Sequence, residues 1–196
     1  MSVRFSTWWT RDTRSRWGYC GMRWVGFVRN VMLGREGLHR QVLIDLVEAA
    51  GGTNVRSHLT TGNVTFDAPR TRADAVVRRT EAAIAAVVGR HEPVILREIV
   101  WLQDVVGGDP FRGYLGGAWE LEVGFLPLGV APIDPGRLPD LERTVLLQLG
   151  EREAFTARPR EGGRRPHVVS LLQEATGSRA TSRGWSSLEK IAAHGA

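Results

Sequence analysis

Apolar and polar positions alternate along this chain in two periods, and they change period in a regular order. Residues Arg23–Arg29 read as a strand, followed by a loop, Asn30–Gly37, that contains two glycines. Val42, Leu43, Leu46, Val47 and Ala50 then fall on one face of a helix expected over Leu38–Ala50. Gly51-Gly52 offers that helix a left-handed cap. Val55–Leu59 and Asn63–Phe66 read as strands joined by the turn Thr60-Thr61-Gly62-Asn63. Ala73, Val76, Val77, Thr80, Ile84, Val87 and Val88 predict a helix over Thr71–Gly89, and Pro93–Arg97 a fourth strand. Strand, helix, strand, strand, helix, strand is the order of a ferredoxin-like plait.

The pattern then begins again. A short helix is expected near Ile99–Val106, and glycines at 107, 108, 113, 116 and 117 mark a linker. Trp119–Leu126 alternates like a half-buried strand. A short helical piece follows around Leu138–Arg143, then a hairpin of Val145–Leu149 with Glu153–Ala157 around Gly150. His167–Thr176 carries an apolar helical stripe, Ala180–Ser182 reads as a short strand and Trp185–His194 as a closing helix. The fold class expected is α+β, with two tandem ferredoxin-like (α/β plait, βαββαβ) subdomains. Residues 22–98 form the first, 99–117 a helix and linker, and 118–196 the second together with the C-terminal helix. The halves share a topology, with no residue-by-residue repeat apparent between them.

Residues 1–21 stand apart. Phe5, Trp8, Trp9, Trp17 and Tyr19 sit among arginines without either period, and there is no apolar signal-peptide region. They read as an extension upstream of the fold, or alternatively as a basic-aromatic arm. The chain has 196 residues and a net charge of +5, of which this stretch supplies +3 through Arg4, Arg11, Arg14 and Arg16 against Asp12. The +2 left for the rest is too little to imply nucleic acid on its own. One cysteine, Cys20, excludes an internal disulfide and suits a cytoplasmic location. No apolar run approaches the ~20 residues of a membrane helix.

Four stretches, once placed, resemble one family, the bacterial domain-of-unknown-function family 1697. Its first strand ends Leu-Arg-Gly-Ile-Asn-Val-Gly, and Val28-Arg29-Asn30-Val31-Met32-Leu33-Gly34 is similar to it. Its Val-Arg-Thr-Tyr-Ile-Gln-Ser-Gly-Asn-Val-Val-Phe resembles Val55-Arg56-Ser57-His58-Leu59-Thr60-Thr61-Gly62-Asn63-Val64-Thr65-Phe66. Asn-Pro-Phe resembles Asp109-Pro110-Phe111, and Ala-Thr-Ala-Arg-Asn-Trp-Asn-Thr-Val resembles Ala180–Leu188. The resemblance runs from Met22 to about His194 and implies two plait-like subdomains, with no established activity. Asn30, Met32, Gly184, Ser186 and Ser187 depart from the family pattern and remove several of its polar groups.

The candidate ligand-binding residues are Arg29, Asn30, Gly34, Arg35, Asn63, Arg183 and Trp185. Arg29 ends a strand, and the glycine loop behind it leads to a helix N-terminus with Arg35 and Arg40 nearby, which suits an anion. The competing reading is a loop shaped for turning, with Arg29 anchored on a buried carboxylate. Thr60–Asn63 reads first as a structural turn, and Arg183 with Trp185 as a lock holding the C-terminal helix. Arg158, Arg160, Arg164 and Arg165 form a basic loop. The five histidines are scattered singly without HExxH, Ser-His-Asp or paired-carboxylate spacing, so catalytic residues are left unknown, and no metal or cofactor is expected. The leading function is a non-catalytic or accessory module binding a small anionic ligand or a protein partner. The alternatives are nucleic-acid binding on a plait sheet and an enzyme of unknown reaction.

Overall fold

The computed structural model describes residues 22–114, 116–162 and 166–195, so the expected extension 1–21 and Arg164 and Arg165 lie outside the described residues. The elements in chain order are β1 (Met22–Val28), α1 (Arg40–Ala49), β2 (Thr53–His58), β3 (Asn63–Ala68), α2 (Arg70–Val88), β4 (Val94–Glu98), α3 (Ile99–Gly108), β5 (Trp119–Phe125), β6 (Val145–Leu149), β7 (Glu153–Pro159), α4 (Val168–Thr176), β8 (Thr181–Gly184) and α5 (Trp185–His194). They make a mixed α+β fold of five helices and two four-stranded antiparallel sheets, divided between two compact units.

The first unit holds β1 to α3 and takes α5 from the end of the chain. Its strand order is β2-β3-β1-β4, every neighbour antiparallel. On one face Trp24, Val28, Val64, Phe66 and Leu96 pack against Leu43 and Val47 of α1 and Ala73, Val76 and Ile84 of α2. Trp24 buries its ring and still satisfies its indole, whose Nε1 donates to the Ala68 carbonyl at 3.0 Å. Between Trp24 and Val28 stands Gly26, where a Cβ would lie 3.0 Å from Val94 and 3.3 Å from Val64. The alternate residues Val25, Phe27 and Ile95 face the other way and are equally buried. There α3 packs on β1 and β4, and α5 packs on α3.

The expected boundary placed α5 with the second subdomain. Its contacts put it with the first unit instead: Gln103 of α3 donates to the Ala192 carbonyl, and Arg23 of β1 donates to the Gly195 carbonyl. The apolar stripe of α5, Leu188, Ile191 and Ala192, follows the helical period and is buried.

The second unit has the order β6-β7-β5-β8, again antiparallel. Val168 and Leu172 of α4 lie on Leu126 and Ala154, and a Cβ at Gly124 would come within 2.7 Å of both helical side chains. The short helix expected at Leu138–Arg143 is absent. A 3-10 turn at Pro135–Arg137 takes its place, with the Asp134 carboxylate accepting from the Gly136 N–H. Pro139 pushes the residue before it out of the helical region, and Glu142 further on has a positive φ of 47°. Leu138 accordingly has ψ 134°. The loop instead lays Val130, Ile133 and Leu138 on this core.

The turn between β2 and β3 is the tightest point of the first unit. Gly62 has φ +66°, and a Cβ there would meet Val31 at 2.4 Å and Val28 at 3.0 Å. Gly62→Val should therefore cost about 1–3 kcal/mol in backbone strain, with the steric clash adding to it. Urea unfolding of that variant is the check, and an unchanged midpoint would contradict the geometry.

Candidate functional site

Two groups of polar side chains lie towards the margins of the first sheet, beyond the apolar side chains of β1. The first is at the end of β1. Arg29 follows the strand and its N–H donates to the Pro93 carbonyl at the entry to β4. Its Nη1 donates to Glu92 Oε2 at 2.8 Å. Glu92 is 3% exposed, and its other oxygen accepts from Asn30 Nδ2 at 2.9 Å and Arg90 Nε at 3.1 Å. Arg90 also forks onto both oxygens of Glu36 and donates to the Asn30 carbonyl. Burial alone would push the Glu92 carboxyl up. The hydrogen bonds from Asn30, Arg29 and Arg90 outweigh it and hold the group below the ordinary carboxylate range.

The loop between Arg29 and α1 is tied to itself. The Gly34 N–H donates to Leu38, that of Arg35 to Met32, and that of Leu33 to Thr60. Asn30, Gly34, Glu36 and Gly37 all have positive φ. Arg35 is exposed on this loop. Arg40 opens α1 and donates to the carbonyls of Ser57 and Leu59. Arg29 and Asn30 thus meet on Glu92, while the backbone N–H groups of Gly34 and Arg35 serve the turn itself.

The second group lies at the β2 edge, on the face away from α1 and α2. Arg56 and His58 stand opposite Thr65 and Asn63 of β3. His58 Nε2 is 2.9 Å from Thr65 Oγ1, which also accepts from Arg23 Nη2 at 3.0 Å. Arg23 pairs with Asp67, and Arg56 donates to the His194 carbonyl at 3.5 Å. Burial, and then the charges of Arg23, Arg56, Arg40 and His194, push the His58 imidazole down to about 4. Asn63 is fully buried, its Nδ2 donating to the His58 carbonyl and to Thr61 Oγ1.

Arg183 and Trp185 belong to neither group. Arg183 of β8 is 7% exposed, and its Nη1 donates to Thr181 Oγ1 and the Ser182 carbonyl. Burial lowers its guanidinium to about 10. Trp185 is the first residue of α5 and is buried. Arg158 is also buried and pairs with Glu120 of β5. Among the described residues no three His, Cys, Asp or Glu side chains gather as metal ligands.

Sequence reasoning singled out Arg29 and Asn30 but missed Glu92, Arg90 and Glu36, which lie far from them in the chain. It also missed His58 as part of a cationic group. The strand alternation that puts Arg56 and His58 on one face was legible in principle.

Two measurements follow from these groups. Arg29→Gln leaves Glu92 buried with its shortest partner gone and should destabilise the fold by about 2–3 kcal/mol. Acid unfolding of the variant should begin at higher pH, since Glu92 loses part of what keeps it ionised. His58 acts with the opposite chemistry. Its folded value lies below the unfolded 6.5, so its contribution is complete above about 6.5 and is lost as pH falls towards 4. In chloride buffer, His58→Gln should flatten the stability profile across that window; an identical profile would contradict the assignment.

No curated protein matches the chain. A solved structure does, described as that of the conserved bacterial protein SP0830 from Streptococcus pneumoniae. It is 17% identical, with a TM-score of 0.68, and the alignment covers 89% of this chain and 98% of that one. At that identity the likeness concerns the fold alone. Residues 22–132 match the family described as "Protein of unknown function (DUF1697)", and the chain belongs to that family.

Proposed function

We propose that this DUF1697 member is a non-catalytic or accessory cytoplasmic module, built of two tandem ferredoxin-like plaits, that binds a small anionic ligand through its first unit. The order 2-3-1-4 in both antiparallel sheets supports the plait reading. In the second unit the first crossover is a loop with a 3-10 turn rather than a helix, so that plait is incomplete. The observation that carries the ligand reading is the company of His58: Arg23, Arg40, Arg56 and His194. A concentration of one sign of charge around a half-buried group attracts the opposite sign.

The small-anion reading is favoured over nucleic acid by one feature. A plait that reads RNA needs aromatic rings exposed on its sheet. Phe27 and Phe66, the rings that would serve, are 0% and 2% exposed.

Native mass spectrometry of gently purified full-length protein tests the proposal. A bound anion of small mass is expected, displaced by raising the salt. Binding of RNA or DNA at physiological salt should be weak and insensitive to sequence. Sequence-selective, submicromolar binding would reverse the ranking.

A further inference from the structure

We infer that β6, the open edge of the second sheet, is an interaction surface, and that its partner is β6 of a second copy of this chain, paired antiparallel across a twofold axis. The inference is independent of the anion-binding reading above.

Each four-stranded sheet ends in two edge strands, β2 and β4 in the first and β6 and β8 in the second. An edge strand turns the N–H and C=O of every second residue outward, a template for another strand. At three of the four edges a side chain of the same unit bonds an outward main-chain group. Arg40 Nη1 donates to the Ser57 carbonyl of β2 at 2.9 Å. On β4 the Leu96 carbonyl accepts from Arg97 Nη1 at 2.6 Å, and the Val94 N–H donates to Glu81 Oε1 at 2.8 Å. On β8 the Ser182 carbonyl accepts from Arg183 Nη1 at 2.7 Å.

β6 has no such guard. The Leu126 N–H donates to the Arg152 carbonyl and that of Arg160 to Ala118, so the even-numbered residues of β7 bond β5 and the odd-numbered ones face β6. Val145, opposite Ala157, therefore bonds inward, while Leu146, opposite Thr156, turns its N–H and C=O outward. Among the described residues no side chain bonds the main chain of Val145–Leu149. The strand reads Val-Leu-Leu-Gln-Leu and is half-buried throughout, with neither charge nor proline to repel a second strand. The register with β7 shifts between Leu146 and Gln148 and leaves Leu147 without a partner residue there. Such a shift bends an edge, which suits one short pairing better than an extended array.

Three features select a second copy as the occupant. β6 is uncharged, so self-pairing sets no like charges opposite one another within the strand. Its flanks are charged in complementary order. Exposed Arg143 precedes β6, and Glu151, 74% exposed, follows it in the hairpin. Antiparallel pairing lays the hairpin of one copy beside the entry to β6 in the other, so Arg143 and Glu151 approach each other twice across the axis. Glu151 also pairs with Arg152 of its own chain at 2.9 Å, and a carboxylate with two oxygens serves both. The third feature is closure: the pairing uses the one unguarded edge of each copy, so assembly stops at two. Five residues span about 17 Å, which with the flanks falls short of the ~1,200 Å² of a stable interface. The dimer is accordingly weak, with a dissociation constant of about 10–100 µM.

The test is sedimentation equilibrium of the full chain from about 5 to about 500 µM, with amide hydrogen exchange measured at both ends of that range. A monomer–dimer equilibrium is expected, with the Leu146 amide protected at the high end alone. Leu147→Lys, which puts like charges beside the axis, should weaken dimerisation about tenfold or more. Glu151→Arg, at an exposed position, keeps the test independent of folding. It should weaken dimerisation about threefold, and Arg143→Glu in the same chain should restore it. A chain that stays monomeric at the top of the range overturns the inference. So does a dimer in which Leu146 remains unprotected, or one indifferent to both charge variants. Assembly beyond two copies overturns the closed pairing. If the chain is monomeric and a synthetic peptide of residues 144–149 protects Leu146, the edge takes foreign strands and self-pairing is wrong.

Discussion

The first unit depends on a central strand buried on both faces. Trp24, Gly26 and Val28 of β1 turn towards α1 and α2, and Val25 and Phe27 turn towards α3 and α5. Such a strand has no room for polar chemistry, since a buried polar group without a partner is costly. Two groups of polar side chains gather outside that strand: at the end of β1, where Arg29 and Asn30 meet Glu92, and at the edge strand β2, where His58 meets its arginines. The candidate binding chemistry is marginal to the sheet because its centre is committed to packing. Gly26 marks how tight that packing is.

Arginine does much of the structural work, and a good part of it on carbonyl oxygens. Arg23 reaches Asn54 and Gly195, Arg40 reaches Ser57 and Leu59, and Arg79 reaches Ala50 just past α1. Each meets main-chain acceptors at a helix end or beside an edge strand, where the backbone leaves carbonyls unserved. A planar guanidinium with five donors can serve several such acceptors at once, and an ammonium does so less well. A positive residue in this sequence is thus poor evidence for a ligand by itself. What distinguishes the β2 group is convergence on a titratable ring.

The two sheets, superposed by register alone, reveal a likeness that the sequence hid. Val25-Gly26-Phe27 and Val123-Gly124-Phe125 occupy the same places in their central strands, and Arg97 and Arg183 sit opposite the two valines. Both arginines are buried and each donates to the carbonyl of the residue before it. Elsewhere the register carries opposite chemistry. Trp24, Phe66 and Ala68 correspond to Glu122, Thr156 and Arg158. The apolar set lies under a crossover helix. The polar set lies in the unit where that crossover is a loop, and it is held by ion pairs such as Arg158 with Glu120.

The sequence by itself determined the elements and their order. Hydrophobic period set most strands and helices to within a few residues, the Gly-Asn turn announced the hairpin at Gly62, and the spaced motifs announced the family. These features are local, and local backbone preference is written in neighbouring residues. It failed at Leu138–Arg143, where a 3-10 turn and then Glu142 at positive φ stand in place of the expected helix. Only the tertiary structure decided which distant residues meet. Glu92 lies 63 residues from Arg29, so its role under that arginine follows from strand order and not from spacing. The helix that closes the chain joined the first unit because α3 and Arg23 offer it partners there, a choice that no periodicity within α5 encodes. The depressed imidazole of His58 likewise required β1, α1, β2 and α5 together, since its neighbours' charges come from four elements.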